Sequence, residues 1–193
     1  MPVTVHDVPF FDRVAPLYDL VLPETDAAPL REGLGHAERV VEDVVDLGGG
    51  TGRAARALDH EPVVLDASEG MLAKARRYDL EGVRGDVRQL PFPDDAVDAV
   101  VSVDAVHHFP AVPDVIREVE RVLAVGGALA VREFDPSTLR GRGLVWGEHR
   151  FGFESTFFTV AELVEQFEAA GLETTVLERG FVYTVVGVKP GDQ

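Results

Sequence analysis

Cysteine is absent from the 193 residues of this chain. That excludes disulfides, zinc–thiolate centres and thiol nucleophiles together. Lysine is almost absent: Lys74 and Lys189 stand beside sixteen arginines. Long apolar runs are also missing. The longest candidate, Ala96 to Val106, is interrupted by Asp98 and Asp104. It falls well short of the roughly 20 residues that span a bilayer, so no membrane insertion is expected. The opening "MPVTVHDVPFFDR" has no basic start leading into an apolar run, so no secretory leader is expected and the default location is the cytoplasm. No repeat, low-complexity tract or linker is visible, and the length suits one domain over 1–193.

Acid is plentiful. Thirty-four Asp and Glu against 18 Lys and Arg give a formal net charge of -16. Such a surface repels nucleic acid and anionic membrane, so neither is an expected partner. It also keeps a protein soluble where salt screens charge within a few ångströms. Acid-rich, lysine-poor composition resembles that of proteins from salt-loving archaea, and a halophilic source is the expectation. A hydrophobic fraction of 46% fits a folded core.

The apolar periodicity divides the chain into three stretches. Residues 1–40 read as two helical segments, a lid, with a break at Pro16 and a second short helix after Pro29. Residues 41–135 alternate: strands at 43–47, 62–67, 82–86, 96–105 and 128–135, with helices at 51–60, 68–78 and 112–127. Strand–helix alternation of this kind builds a parallel sheet with helices on both faces. Residues 136–158 read as the least regular part, a loop. A helix at 159–171 follows. Then two apolar runs are separated by Arg179-Gly180 alone, too short for a crossover, so they form an antiparallel hairpin. The expected fold is α/β and Rossmann-like: a seven-stranded mixed sheet, mostly parallel, with one antiparallel strand in a C-terminal hairpin.

The chemistry centres on "VVDLGGGTGR", residues 44–53. A triphosphate loop needs lysine and a serine or threonine after its last glycine; Arg53 and Ala54 stand there instead. A dinucleotide loop needs a third glycine where this chain has Arg53. The stretch matches acid-x-Gly-x-Gly-x-Gly, as Asp46, Gly48, Gly50 and Gly52. On this motif and its position the chain resembles the class I S-adenosylmethionine-dependent methyltransferases, in particular the type 11 methyltransferases.

The resemblance implies S-adenosylmethionine as cofactor. Glycines let backbone approach its methionine and ribose closely. A helix starting at Thr51 would offer free N–H groups to the methionine carboxylate. Asp46 would lie near the ammonium group, or simply cap donors within the turn. Asp66, twenty residues on, would accept the ribose hydroxyls, or cap the helix at Ser68. Ala67 would lie against adenine. Asp86 and Val87, in "VRGDVRQLPF", would hold the adenine edge. Ser102, Val103 and Asp104 would stand beside the sulfonium and methionine, and Tyr18, in "FDRVAPLYD", would reach over the methionine carboxylate or pack in a helix stripe.

His107 and His108 follow directly and are the candidate catalytic bases; packing or solvation is the other reading of each. Two adjacent histidines without carboxylates at ligand spacing make a poor metal site, so no metal is expected. Trp146, His149, Phe151, Phe153 and Phe157 either line an apolar acceptor pocket or pack a loop onto the core. The expected function is methyl transfer to a small-molecule acceptor by in-line displacement. The alternatives are a cofactor-binding module without turnover and a quinone-pathway C-methyltransferase. Those quinone enzymes usually carry an acid at the position of Arg53 and an asparagine-rich segment after "YD", and this chain departs from both patterns.

Overall fold

A computed structural model of the chain describes residues 8–21, 25–153 and 155–191, apart from the side chains of 16–21 and 151. Seven strands form one sheet: β1 (Val44–Leu47), β2 (Val63–Asp66), β3 (Gly82–Arg84), β4 (Val97–Val103), β5 (Leu123–Phe134), β6 (Glu173–Glu178) and β7 (Val182–Val188). Their order is β3-β2-β1-β4-β5-β7-β6. The first five run parallel, and β7 enters antiparallel between β5 and β6. All four residues of β1 are buried, as expected of a strand covered on both faces.

Among the described residues six α-helices accompany the sheet: α1 (Val8–Val21), α2 (Ala28–Leu34), α3 (Glu69–Ala75), α4 (Val112–Val122), α5 (Leu139–Phe151) and α6 (Val160–Ala169). One face is covered by α2, whose Leu30 and Leu34 pack with Val101, Ala128 and Val186. Gly33 keeps that approach close, since a Cβ there would sit 2.9 Å from the Ala130 Cβ. On the other face α4 buries Val112, Val115, Ile116, Val119 and Val122, an i, i+3, i+4 stripe, beside Leu163 and Phe167 of α6. Ser68 caps α3 by accepting from Met71 N–H, and Thr159 forms a reciprocal capping box with Glu162.

Four local expectations are corrected. The glycine loop leads into turns and a single 3-10 turn at Ala55–Ala57, not a helix over 51–60. Gly52 at φ 77 cannot be a right-handed helical residue, and the chain turns back to an extended conformation at Leu58, with φ -89 and ψ 155. The fourth helix stops at Val122 and β5 starts at once, with Gly126 at φ 76 bending the strand where its register on β4 shifts. Helix α1 continues past Pro16 instead of breaking there. Residues 136–158, read as a loop, contain α5. Thr138 caps it by accepting from Gly141 N–H at 3.0 Å, and Gly152 ends it at φ 86.

Helix α1 is tied across the molecule by one side chain. Asp12 Oδ1 accepts from Ser68 Oγ at 2.6 Å and from Gly70 N–H at 2.8 Å. The lid therefore sits on the first turn of α3, beside the carboxyl ends of β1 and β2. Strand order reverses between β1 and β4, the place where open α/β sheets hold their ligands.

Candidate active site

The loop after β1 is shaped by glycine. Gly48, Gly50 and Gly52 have φ of 67, 58 and 77, left-handed values that side chains seldom adopt. Their alternation is the physical content of the Gly-x-Gly-x-Gly spacing. Gly49, an ordinary "x" in that pattern, is constrained differently: a Cβ there would lie 2.4 Å from Asp46 Cγ. Around Gly50 the nearest atoms to an added Cβ, Asp66 Oδ2 and Met71 Sδ, are 4.0 Å away, so a methyl would fit there without a clash. Thr51 is buried under the loop within a turn, so no helix N-terminus is presented there.

Four acids converge on the loop. Asp46 is fully buried; its Oδ2 accepts from Ala55 N–H at 3.1 Å, and its Oδ1 has no hydrogen-bond partner. Burial, with a smaller contribution from Asp66, pushes its pKa up to about 7 against the Ala55 hydrogen bond. Asp66 accepts from Gly50 N–H at 2.9 Å and Ser68 N–H at 2.8 Å, fastening the end of β2 to the loop. Burial raises its pKa also. Asp86 is gripped by Arg88 through Nε at 3.0 Å and Nη2 at 2.6 Å, which holds its carboxyl below the usual range. Asp104 ends the β4 turn at φ 52, a strained value for a non-glycine residue. Its Oδ2 lies 3.3 Å from Arg53 Nη2, while Oδ1 is buried without a hydrogen bond. Burial, and then Glu133, raise its pKa.

These residues line a cleft in two compartments. The smaller is polar and holds Thr25, Asp46, Arg53, Val103 and Asp104 against the loop backbone. The larger spans about 670 Å³ of space that includes its opening to solvent. Asp66, Ala67, Asp86 and Val87 stand on its walls, as do Val8, Phe11, Met71, His108 and Phe109. Ser102 lines neither compartment: its buried hydroxyl donates to Leu47 O at 2.9 Å and ties β4 to β1. The Tyr18 side chain lies outside the described residues.

His107 and His108 share one 3-10 turn, yet their surroundings differ. His108 borders the cleft, edge-on to Phe11 at 5.1 Å. His107 is buried and stacked on Phe157 at 4.4 Å. Its Nδ1 is 2.8 Å from Glu133 Oε2 and its Nε2 is 3.5 Å from Glu148 Oε1. Burial works against its protonation, but Glu133 and then Glu148 outweigh burial and push its pKa up to about 10. Glu148 is held below its usual value mainly by His107, against the cost of burial. Ser155 joins the cluster, donating to Glu148 and lying 3.4 Å from His108 Nδ1. The premise that no carboxylate stands near the histidines is thus corrected: ligand atoms of His107, His108 and Glu148 all lie within 4.8 Å of one another.

The aromatic segment is also placed differently. Trp146 is 71% exposed and borders neither compartment. Phe153 packs edge-on against Phe10 at 4.8 Å and near His108 at 5.6 Å, a wall behind the cleft. His149 Nε2 meets Ser155 O at 3.0 Å, and Phe151 lies outside the residues with described side chains. Sequence reasoning missed Gly49, Arg53 as part of the polar compartment, Asp12, Glu133 and Glu148. One signal was present: Glu133 is an acid inside the apolar strand "ALAVREF", where a charge needs a partner.

A family model described as a methyltransferase domain matches residues 45–131. The demethylmenaquinone methyltransferase of Thermus thermophilus is 35% identical over 152 aligned residues, covering 70% of this chain and 69% of that protein. The demethylmenaquinone methyltransferase of Thermotoga maritima is 30% identical and covers 97% of this chain and 96% of its own. The crystal structure of an S-adenosylmethionine-dependent methyltransferase from Thermotoga maritima shares the fold with a TM-score of 0.79 at 22% identity, covering 95% of this chain and 100% of that one. The glycine loop, the strand order with its antiparallel β7 and these relatives agree, and the chain belongs to the class I methyltransferase family.

Proposed function

We propose that this protein transfers a methyl group from S-adenosylmethionine to a small, largely apolar acceptor. The observation that carries this reading is the polar compartment. Asp46 Oδ1 and Asp104 Oδ1 are buried there without hydrogen-bond partners, and Arg53 stands beside them. Two acids and a guanidinium suit the ammonium and carboxylate of an amino acid, and would hold the methionine end of the cofactor. Asp66 and Asp86, in the larger compartment, would hold the ribose and the adenine. When bound, the cofactor supplies a methyl carbon already activated by its sulfonium.

The chain's own contribution is then alignment and exclusion of water. Phe11 and Phe109 give the acceptor end an apolar wall, and the Asp12 contact keeps α1 over it. His108 stands at that end as the group that takes a proton from an acceptor that must lose one. His107 keeps its proton and orients Glu133 and Glu148. Arg53 lies in the donor compartment, away from Phe11 and His108, so its departure from the quinone-pathway pattern concerns the donor side. A lipophilic hydroquinone is therefore compatible with the acceptor end, in line with the relatives' names. An acceptor wall adjoining the donor compartment favours turnover over a binding-only module.

Label transfer from radioactive S-adenosylmethionine into fractionated cell extract, in molar salt, tests the function. Label in the lipid or small-molecule fraction is expected; label in protein or nucleic acid, or cofactor binding without transfer, overturns it. The donor assignment has its own check. Below pH 7 Asp46 holds a proton and repels an ammonium donor. Calorimetry with S-adenosylhomocysteine should therefore show affinity falling as pH drops from about 7 to 5.5, approaching tenfold per pH unit. Asp46→Asn should bind more weakly and lose that dependence; an unchanged profile would refute the contact.

A further inference from the structure

Helix α5 has two dissimilar sides. Glu148 turns inward to His107 and Ser155, with its side chain only 17% exposed. On the opposite side Leu139 is 87% and Trp146 71% exposed. At 3.6 residues per turn, Arg142, Trp146, Leu139 and Arg150 fall within an arc of roughly 80°, and Arg140 lies about 80° beyond its edge. The three arginines are exposed, and among the described residues none pairs with a carboxylate. No acid of α5 shares that arc. In a chain of net charge -16, this is a basic face holding two large bare apolar side chains.

We propose that this face of α5 docks on the surface of a bilayer that carries anionic headgroups. Trp and Leu between arginines is the pairing an interface selects: the indole and the leucine enter the headgroup region, while the guanidinium groups reach phosphates on flexible stems. Charge decides between this occupant and a second copy of the chain. A two-fold contact through the arc would set its arginines against their own counterparts. The overall acidity revises one sequence expectation: it opposes approach to anionic membrane by the rest of the surface, and so leaves α5 as the side that can land. Docking this way would leave α5 between the lipid and the cluster of Glu148, His107 and Ser155 on its inner side. The proposal does not depend on the reaction assigned above.

Trp146 is the single tryptophan of the chain, so its emission reports this face alone. Titration with phosphatidylglycerol vesicles should shift the emission to the blue, shield it from acrylamide and float the protein with the vesicles. Phosphatidylcholine vesicles should do so at least tenfold more weakly. The double variant Arg142→Glu/Arg150→Glu should lose at least tenfold in vesicle affinity with an unchanged far-ultraviolet spectrum. Trp146→Ala should also float less. An unchanged emission at saturating phosphatidylglycerol overturns the proposal. So does equal binding by the charge-reversed variant. A blue shift that grows with protein concentration in the absence of lipid overturns it in favour of self-association.

Discussion

Gly49→Ala should lower stability by about 1–3 kcal/mol and abolish cofactor binding at micromolar concentrations. The added methyl would lie 2.4 Å from Asp46 Cγ and 2.5 Å from Oδ2, inside any contact distance real Cβ atoms show. Asp46 cannot yield cheaply. It is fully buried, holds Ala55 N–H, and sits under the loop whose shape it sets. Moving it breaks the turn and takes away the carboxylate that would meet the ammonium group. Gly50→Ala separates the two effects. There the new methyl clashes with nothing, its nearest neighbours standing at 4.0 Å, and the stability cost is the left-handed strain of roughly 1–2 kcal/mol. Thermal unfolding with calorimetry on both variants checks this. Wild-type binding by Gly49→Ala would show that Asp46 is not held where the cofactor reading needs it.

Glu133→Ala should cost about 3–5 kcal/mol, the range seen when one partner of a buried ion pair is removed. Glu133 is wholly buried. It meets His107 through Nδ1 and through the backbone N–H, and its Oε1 accepts from Phe134 N–H. The pH dependence gives a second signature. His107 binds its proton more tightly in the folded chain, with a pKa of about 10 against an ordinary 6.5. Its contribution to stability is complete below about pH 6.5 and is lost as pH rises through 10. Asp46 slopes the same way at lower pH: its proton is held more tightly in the folded state, so stability falls as pH climbs from about 4 to 7. The melting temperature of the wild type should decline steadily from pH 6.5 to 10. In Glu133→Ala that decline should flatten. A wild-type melting temperature constant over this interval would mean His107 is neutral.

Legibility followed sequence distance. Strands β1 to β5, the hairpin and the Ser68 cap are encoded by neighbours along the chain, and they were readable. Helix α5 was not, although Thr138 and Gly152 mark its ends, because Gly141, Gly143 and Gly147 lower its intrinsic helicity. It persists through tertiary ties such as the one from Glu148 to His107. The site shows the same division. The alternating glycines announced a loop of close backbone approach, though not its left-handed form, and Asp66, Asp86 and Asp104 do face the cleft. The partners of His107 lie 26 and 41 residues away, and no local pattern announces a pairing at that distance. The aromatic segment misled for a related reason: composition shows that Trp146 and Phe153 are bulky, but only packing decides which points inward.

The order of the sheet carries a last consequence, for self-association through its rims. Its two outermost strands are β3, three residues long, and β6, which begins and ends in glutamate and shifts register between Val176 and Glu178. A stub offers too few free N–H and C=O groups to template another strand, and an irregular, acid-ended border resists a flat neighbour. The long apolar strands β4, β5 and β7 lie inside the sheet, where no foreign chain can add to them. Concentrated native protein should thus not grow by strand addition, and fibrous or amorphous aggregates should arise only from molecules that have lost β6 and β7 first.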